Sequence, residues 1–184
     1  FTIFYAKDCL IFLSGNEFIG ATLAMQIIAP TILLIGLSNL LGIQVLTPLN
    51  KEKQLVYSVV AGALVDLILN IIFIPKMGAA GASLGTLVAE FVVLTVQILY
   101  LKDLFFRIAK QVQYGKIVLA LILASMISIR CSSMVSVIFF KLAIAGITFF
   151  GSYGIVLLLT KENFVNSYIF EEILKNKFWK KKGK

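Results

Sequence analysis

Apolar residues along this chain come in long unbroken blocks separated by short polar links, not at alternate positions. About 20 residues of helix, at 1.5 Å rise each, cross the hydrocarbon core of a bilayer. Runs of that order fall at 20–46, 55–75, 80–101, 116–136 and 138–160, after a shorter one at 1–13. The links are Ser14-Gly15-Asn16-Glu17, Pro48 to Gln54, Pro75-Lys76-Met77-Gly78, Lys102 to Gly115 and a short turn near Val137. None of the blocks shows the period-two alternation of a membrane β-barrel. The pattern predicts an all-α integral membrane protein: a multi-spanning helical bundle over 1–160, with one partial and five full spans, then a basic tail over 161–184.

Two stretches carry a one-sided pattern instead. In 102–114, Leu104, Phe105, Ile108 and Val112 share a helical face that Lys102, Arg107 and Lys110 avoid. In the tail, Phe164, Val165, Tyr168, Ile169, Ile173 and Leu174 form a second stripe, ending in Phe178-Trp179-Lys180-Lys181-Lys182. Such segments are expected in the headgroup plane, where membrane lipid is their partner and their main role is to anchor the topology.

Composition agrees. Of 184 residues 60% are apolar and only 14% charged, with a mean hydropathy of +0.99. A soluble domain carries roughly a quarter charged residues, and one small globule cannot bury so much apolar surface. This excludes a soluble enzyme, a nucleic-acid-binding domain and a disulfide scaffold. The formal charge of +8 is a membrane-face charge. The 48–54 loop, the 102–116 link and the tail hold two, four and seven Lys and Arg, 13 of the chain's 17. The other face has Lys76, with Arg130 and Lys141 near its last turn. By the positive-inside rule the three basic segments, the C-terminus included, are expected in the cytoplasm. Phe1 already stands inside an apolar run and no cleavable leader is recognisable, so the chain reads as the C-terminal part of a longer membrane protein.

Histidine is absent, which removes imidazole catalysis and the usual metal sites. Cys9 and Cys131 sit in apolar runs and read as small buried thiols. No nucleophile with a neighbouring base, phosphate loop or ligand spacing is present, so no enzyme activity, cofactor or metal is expected. The informative groups are the polar ones inside the apolar runs, each of which needs a cavity or a partner. Ser58, Gly62, Asp66 and Asn70 recur every fourth residue in the third span. Thr86, Glu90 and Gln97 share a face of the fourth, which opens with Gly81 and Gly85 spaced for close helix contact. Asp66 and Glu90 lie at nearly equal distances from the 75–78 turn, hence within about 3 Å of the same depth. They are either a proton-coupling pair in a shared cavity or two neutral acids each bonded to a neighbouring helix. In the second span Gln26 precedes Pro30 by one turn, and Pro30 is expected to kink the helix. Ser125, Ser128, Ser132 and Ser136 read as helix packing. Lys7 is a cation well inside an apolar run, where an anionic substrate could meet it.

The stretch from about 10 to 100 resembles the polysaccharide flippases, the Wzx-like exporters of lipid-linked repeat units. The resemblance lies in Leu13-Ser-Gly-Asn-Glu-Phe18, Gln44-Val-Leu-Thr-Pro48, Lys51-Glu-Lys53, Asn70-Ile-Ile-Phe-Ile-Pro75, Gly78-Ala-Ala-Gly-Ala82 and Glu90, in that order. It implies a two-lobe transporter of the multidrug/oligosaccharidyl-lipid/polysaccharide exporter superfamily, of which this chain is most of the C-terminal lobe. It also implies a bacterial inner-membrane protein that moves undecaprenyl-pyrophosphate-linked oligosaccharides outward by alternating access. Other polysaccharide-assembly proteins are the further partners implied. The family often has Asn where this chain has Asp66, so the carboxyl pair is not inherited from the resemblance. Asp66, Asn70 and Glu90, then Gln26 and Gln97, are the candidate cavity or coupling residues. The alternatives are a multidrug exporter, for which the carboxyls would be counter-ions to a cationic drug, and a membrane-bound polysaccharide polymerase.

Overall fold

A computed structural model describes residues 1–110 and 112–159; the stripe and Lys cluster expected in the tail lie outside the described residues. Every regular element among the described residues is helical. The helices are α1 (Thr2–Ser14), α2 (Thr22–Ile28), α3 (Thr31–Asn39), α4 (Glu52–Met77), α5 (Ala79–Tyr100), α6 (Lys102–Ala109), α7 (Tyr114–Ser132) and α8 (Ile138–Leu159). Four of them, α4, α5, α7 and α8, are long and apolar enough to cross a membrane, and α2 with α3 makes a fifth if the bent pair is one span. The protein is therefore a multi-spanning helical bundle. The described chain divides into two compact units, Thr2–Lys110 and the residues after 110 together with Phe1.

In the first unit, the expected second span is broken where Pro30 stands. The segments Asn16–Ile28 and Thr31–Leu46 are bent by 41° at the Ala29-Pro30 break, because proline offers no N–H to the preceding turn. The hydroxyl of Thr31 donates to the Ile28 carbonyl at 2.5 Å, next to the break. The link expected at 14–17 is shorter than foreseen, since a 3₁₀ turn over Asn16–Ala21 leads directly into α2. At its other end α3 widens into a π-helix over Leu40–Leu46. There the Thr47 N–H reaches back five residues to the Gly42 carbonyl, 3.1 Å away.

The 75–78 turn also contracts. The helix continues through Pro75 to Met77, and Gly78 alone reverses the chain at φ 54, ψ −129, a conformation that favours glycine. Its N–H closes the last turn on the Ile74 carbonyl at 2.8 Å. At the opposite end of this hairpin a core of Leu41, Leu46, Leu94 and Leu101 gathers the π-helix and the end of α5, with Leu55 and Phe105 packed on it.

In the second unit, α7 and α8 pack as a pair. The buried stripe on α7 is Ala120, Ala124, Ser128 and Ser132, and the Ser128 hydroxyl donates to the Ala145 carbonyl of α8 at 2.9 Å. Of the four serines expected to pack, Ser128 and Ser132 lie on this stripe; Ser125 donates to the Leu121 carbonyl of its own helix at 2.7 Å, and Ser136 lies past the end of α7, in a five-residue link at 133–137. Elsewhere hydroxyls turn onto their own helices: Thr95 donates to Phe91, Thr148 to Ile144 and Ser83 to Ala79. In lipid this is the cheapest way to satisfy an isolated hydroxyl.

Glycine placement sets how closely α4 and α5 approach. A Cβ on Gly81 would overlap the Phe73 backbone, whereas one on Gly151 would meet nothing within 4 Å. Gly81→Ala is expected to cost about 1–3 kcal/mol in a detergent-micelle unfolding assay. Gly151→Ala is expected to be neutral or to stabilise by up to about 1 kcal/mol through helix propensity.

Candidate functional site in the α4–α5 hairpin

The polar stripe of α4 faces α5 along its whole length. Its partners recur every fourth residue too: Gly81, Gly85, Ala89, Val93 and Gln97, all buried. Each step of four up α4 is matched by a step of four down α5. Gly62 lies against Ala89 and Val93, and a Cβ on Gly85 would stand 2.6 Å from the Asn70 Oδ1 and 3.2 Å from the Asp66 Oδ1. At the basic end, the Gln97 Nε2 donates to the Ser58 Oγ at 3.2 Å. Ser58 spends its own proton on the Leu55 carbonyl at 2.6 Å, so its oxygen is left to accept, which fixes which way the Gln97 amide points. A Cβ on Gly42 of the π-helix would come within 2.6 Å of Leu55 Cδ1 and 3.2 Å of Gln97 Nε2.

A stripe of period four on a helix of period 3.6 rotates by about 40° per step. This decides where the predicted residues fall. Gln97 meets α4 because the interface has turned to its side by that depth. Glu90, one residue past Ala89, flanks the interface and is half-buried. Thr86, Glu90 and Gln97 therefore share a face by spacing but not a common partner. Asp66 and Glu90, twelve residues on either side of Gly78, lie close enough for their charges to interact. Asp66 and Asn70 are brought together at Gly85. Gln26 is tied elsewhere: its Nε2 donates to the Ile3 carbonyl of α1 at 3.1 Å.

Chemically the seam between α4 and α5 is rich in acceptors. The Oδ1 atoms of Asp66 and Asn70 and the Oε1 of Gln97 are buried without a hydrogen-bond partner among the described residues. A buried acceptor without a donor is costly, so the Oδ1 atoms of Asp66 and Asn70 are positioned to accept a hydrogen bond from a donor that enters. No group of three or more His, Cys, Asp or Glu is arranged for a metal among the described residues. The sequence reading missed the Ser58–Gln97 bond and the role of Gly42. The signal was present in the period-four series Gly81, Gly85, Ala89, Val93, Gln97, of which only the first two glycines stand out by residue type.

The bond across the hairpin is measurable. In a double-mutant cycle, Ser58→Ala and Gln97→Leu are each expected to destabilise, with a coupling of about 0.5–1.5 kcal/mol, the range for hydrogen bonds between membrane helices. A coupling of zero would mean the two side chains do not meet.

Compared with known proteins, the chain matches no family model, no curated protein and no solved structure, so its function is argued from its residues.

Proposed function

We propose that the chain is the C-terminal lobe of an exporter that flips undecaprenyl-pyrophosphate-linked oligosaccharide repeat units across the bacterial cytoplasmic membrane. The observation that carries the reading is the Asp66, Asn70 and Glu90 group held halfway along a membrane-spanning hairpin. Polar groups at that depth are expensive and usually serve transport. The ordered motifs from Leu13 to Glu90 supply the substrate class by resemblance. The broken α2–α3 pair is the kind of element on which transporter lobes rock. The basic residues Lys51, Lys53, Lys102, Arg107 and Lys110 gather at one end of the hairpin, which the positive-inside rule assigns to the cytoplasm. The transport step requires no covalent chemistry: the lobes alternate about a midplane cavity whose polar lining replaces water around the sugar.

One observation favours a second reading. Between Lys53 and Lys76 on α4, and throughout α5, the only charged residues are Asp66 and Glu90. Two acids with no basic residue within those apolar stretches suit a cationic drug as counter-ions.

The test uses the full-length parent restored to cells that lack it. Deletion is expected to deplete surface polysaccharide and to accumulate lipid-linked repeat units on the cytoplasmic side, with wild type reversing both. Asp66→Asn and Glu90→Gln, at normal protein levels, are expected to slow flipping about tenfold or more, the scale of losing one member of a buried polar group. Normal polysaccharide in the deletion strain, together with lost extrusion of a cationic dye, would replace the flippase by the drug exporter.

A further inference from the structure

Helix α6 begins where α5 ends. The Leu101 N–H donates to the Gln97 and Ile98 carbonyls, and the Leu101 carbonyl accepts from the Phe105 N–H at 2.8 Å, so one residue closes α5 and opens α6. Because α5 is a full bilayer crossing in length, α6 starts at the membrane surface. Its inner side is held by Phe105, which packs on the Leu41, Leu46, Leu94 and Leu101 core. The apolar arc is wider than this contact. Leu104 and Ile108 are exposed, Ile108 by 52%, and Val112, which the sequence places on the same face, lies beyond the helix. Arg107, three residues after Leu104, borders this apolar arc on its polar flank. Lys110, another turn on, is exposed as well. Lys51 and Lys53 lie just before Leu55, which packs on the same core.

We propose that this end of the hairpin is a docking surface for anionic phospholipid, with acyl chains along Leu104 and Ile108 and the headgroup phosphate on Arg107 and Lys110. Charge complementarity selects the occupant. Lys51, Lys53, Lys102, Arg107 and Lys110 face a leaflet whose anionic lipids attract cations at the surface, and Glu52 and Asp103 are the only acids in 48–54 and 101–113 to offset them. A guanidinium holds phosphate in a bidentate fork, and an apolar row beneath it sets the headgroup at the depth of the charge. This goes beyond an anchoring role, because it predicts a preference among lipids, and it does not depend on the transported substrate.

The test places a fluorophore on the surface. Leu104→Trp is made in the full chain with Trp179→Phe, so that one indole remains, and is reconstituted in phosphatidylcholine vesicles. Equal mole fractions of brominated phosphatidylglycerol or brominated phosphatidylcholine are then added. Brominated phosphatidylglycerol is expected to quench about three- to tenfold more effectively at low salt, given a few kT of attraction to Arg107 and Lys110. In Arg107→Gln/Lys110→Gln the two lipids are expected to quench equally, with quenching by the phosphatidylcholine unchanged. Equal quenching with Arg107 and Lys110 present would reduce α6 to an anchor without headgroup preference and overturn the proposal. Absence of quenching by either lipid would mean that protein covers Leu104. A preference that survives the double substitution would place the charge elsewhere, and either result also overturns it.

Discussion

Lipid offers no hydrogen bonds, and that shapes nearly every packing decision in this chain. Backbone groups close on themselves as helices, and side-chain hydroxyls close on the carbonyl three or four residues back. The larger polar groups cannot do this and must find a neighbouring helix. Asp66, Asn70 and Gln97 all turn into the α4–α5 seam, where glycines bring two backbones close enough to exclude lipid from them. Apolar side chains, by contrast, gain little by leaving lipid, and those of α4 are left outside: Val59, Leu64, Leu67, Ile68 and Ile71 are exposed along it. The bundle is thus polar and small-residue-rich within its contacts and apolar without, the reverse of a soluble domain.

This explains what the sequence could and could not convey. Span positions were legible because hydrophobic length is a one-dimensional property, and the Pro30 break because a missing N–H has one consequence. The stripe Ser58, Gly62, Asp66, Asn70 pointed to a contact for the same reason. Its partner face was harder to see. Ala89 and Val93 look like any lipid-facing residues by type, and only packing against Gly62 sets them apart. The π-helix had no signature either. It arises where Gly42 must approach Leu55 and Gln97, and a wider turn accommodates that contact. Pro75 suggested an early turn, yet a proline in the last helical turn forfeits one bond only, and Gly78 was the better stop signal.

Glycine and charge together give the hairpin two different ends. Around Gly85 the Oδ1 atoms of Asp66 and Asn70 lie buried without a hydrogen-bond partner among the described residues, with Glu90 near Asp66. Near Gly42 the amide of Gln97 is locked to Ser58 and the surrounding leucines close over it. A hydrogen bond between the helices at the basic end and acceptors without such a bond at mid-depth suit a lobe that moves as a body while its lining changes partners. The proposed export function uses that division: the locked end supports, and the mid-depth acceptors meet whatever enters.

The central claim is that the two period-four stripes face each other in this register. It is tested most directly by disulfide trapping in the full chain with Cys9→Ser and Cys131→Ser. The account predicts rapid oxidation of the Ser58→Cys/Gln97→Cys pair and none of Val59→Cys/Gln97→Cys, because Val59 is exposed one residue round the helix. Equal cross-linking of both pairs, or of the Val59 pair alone, would contradict it.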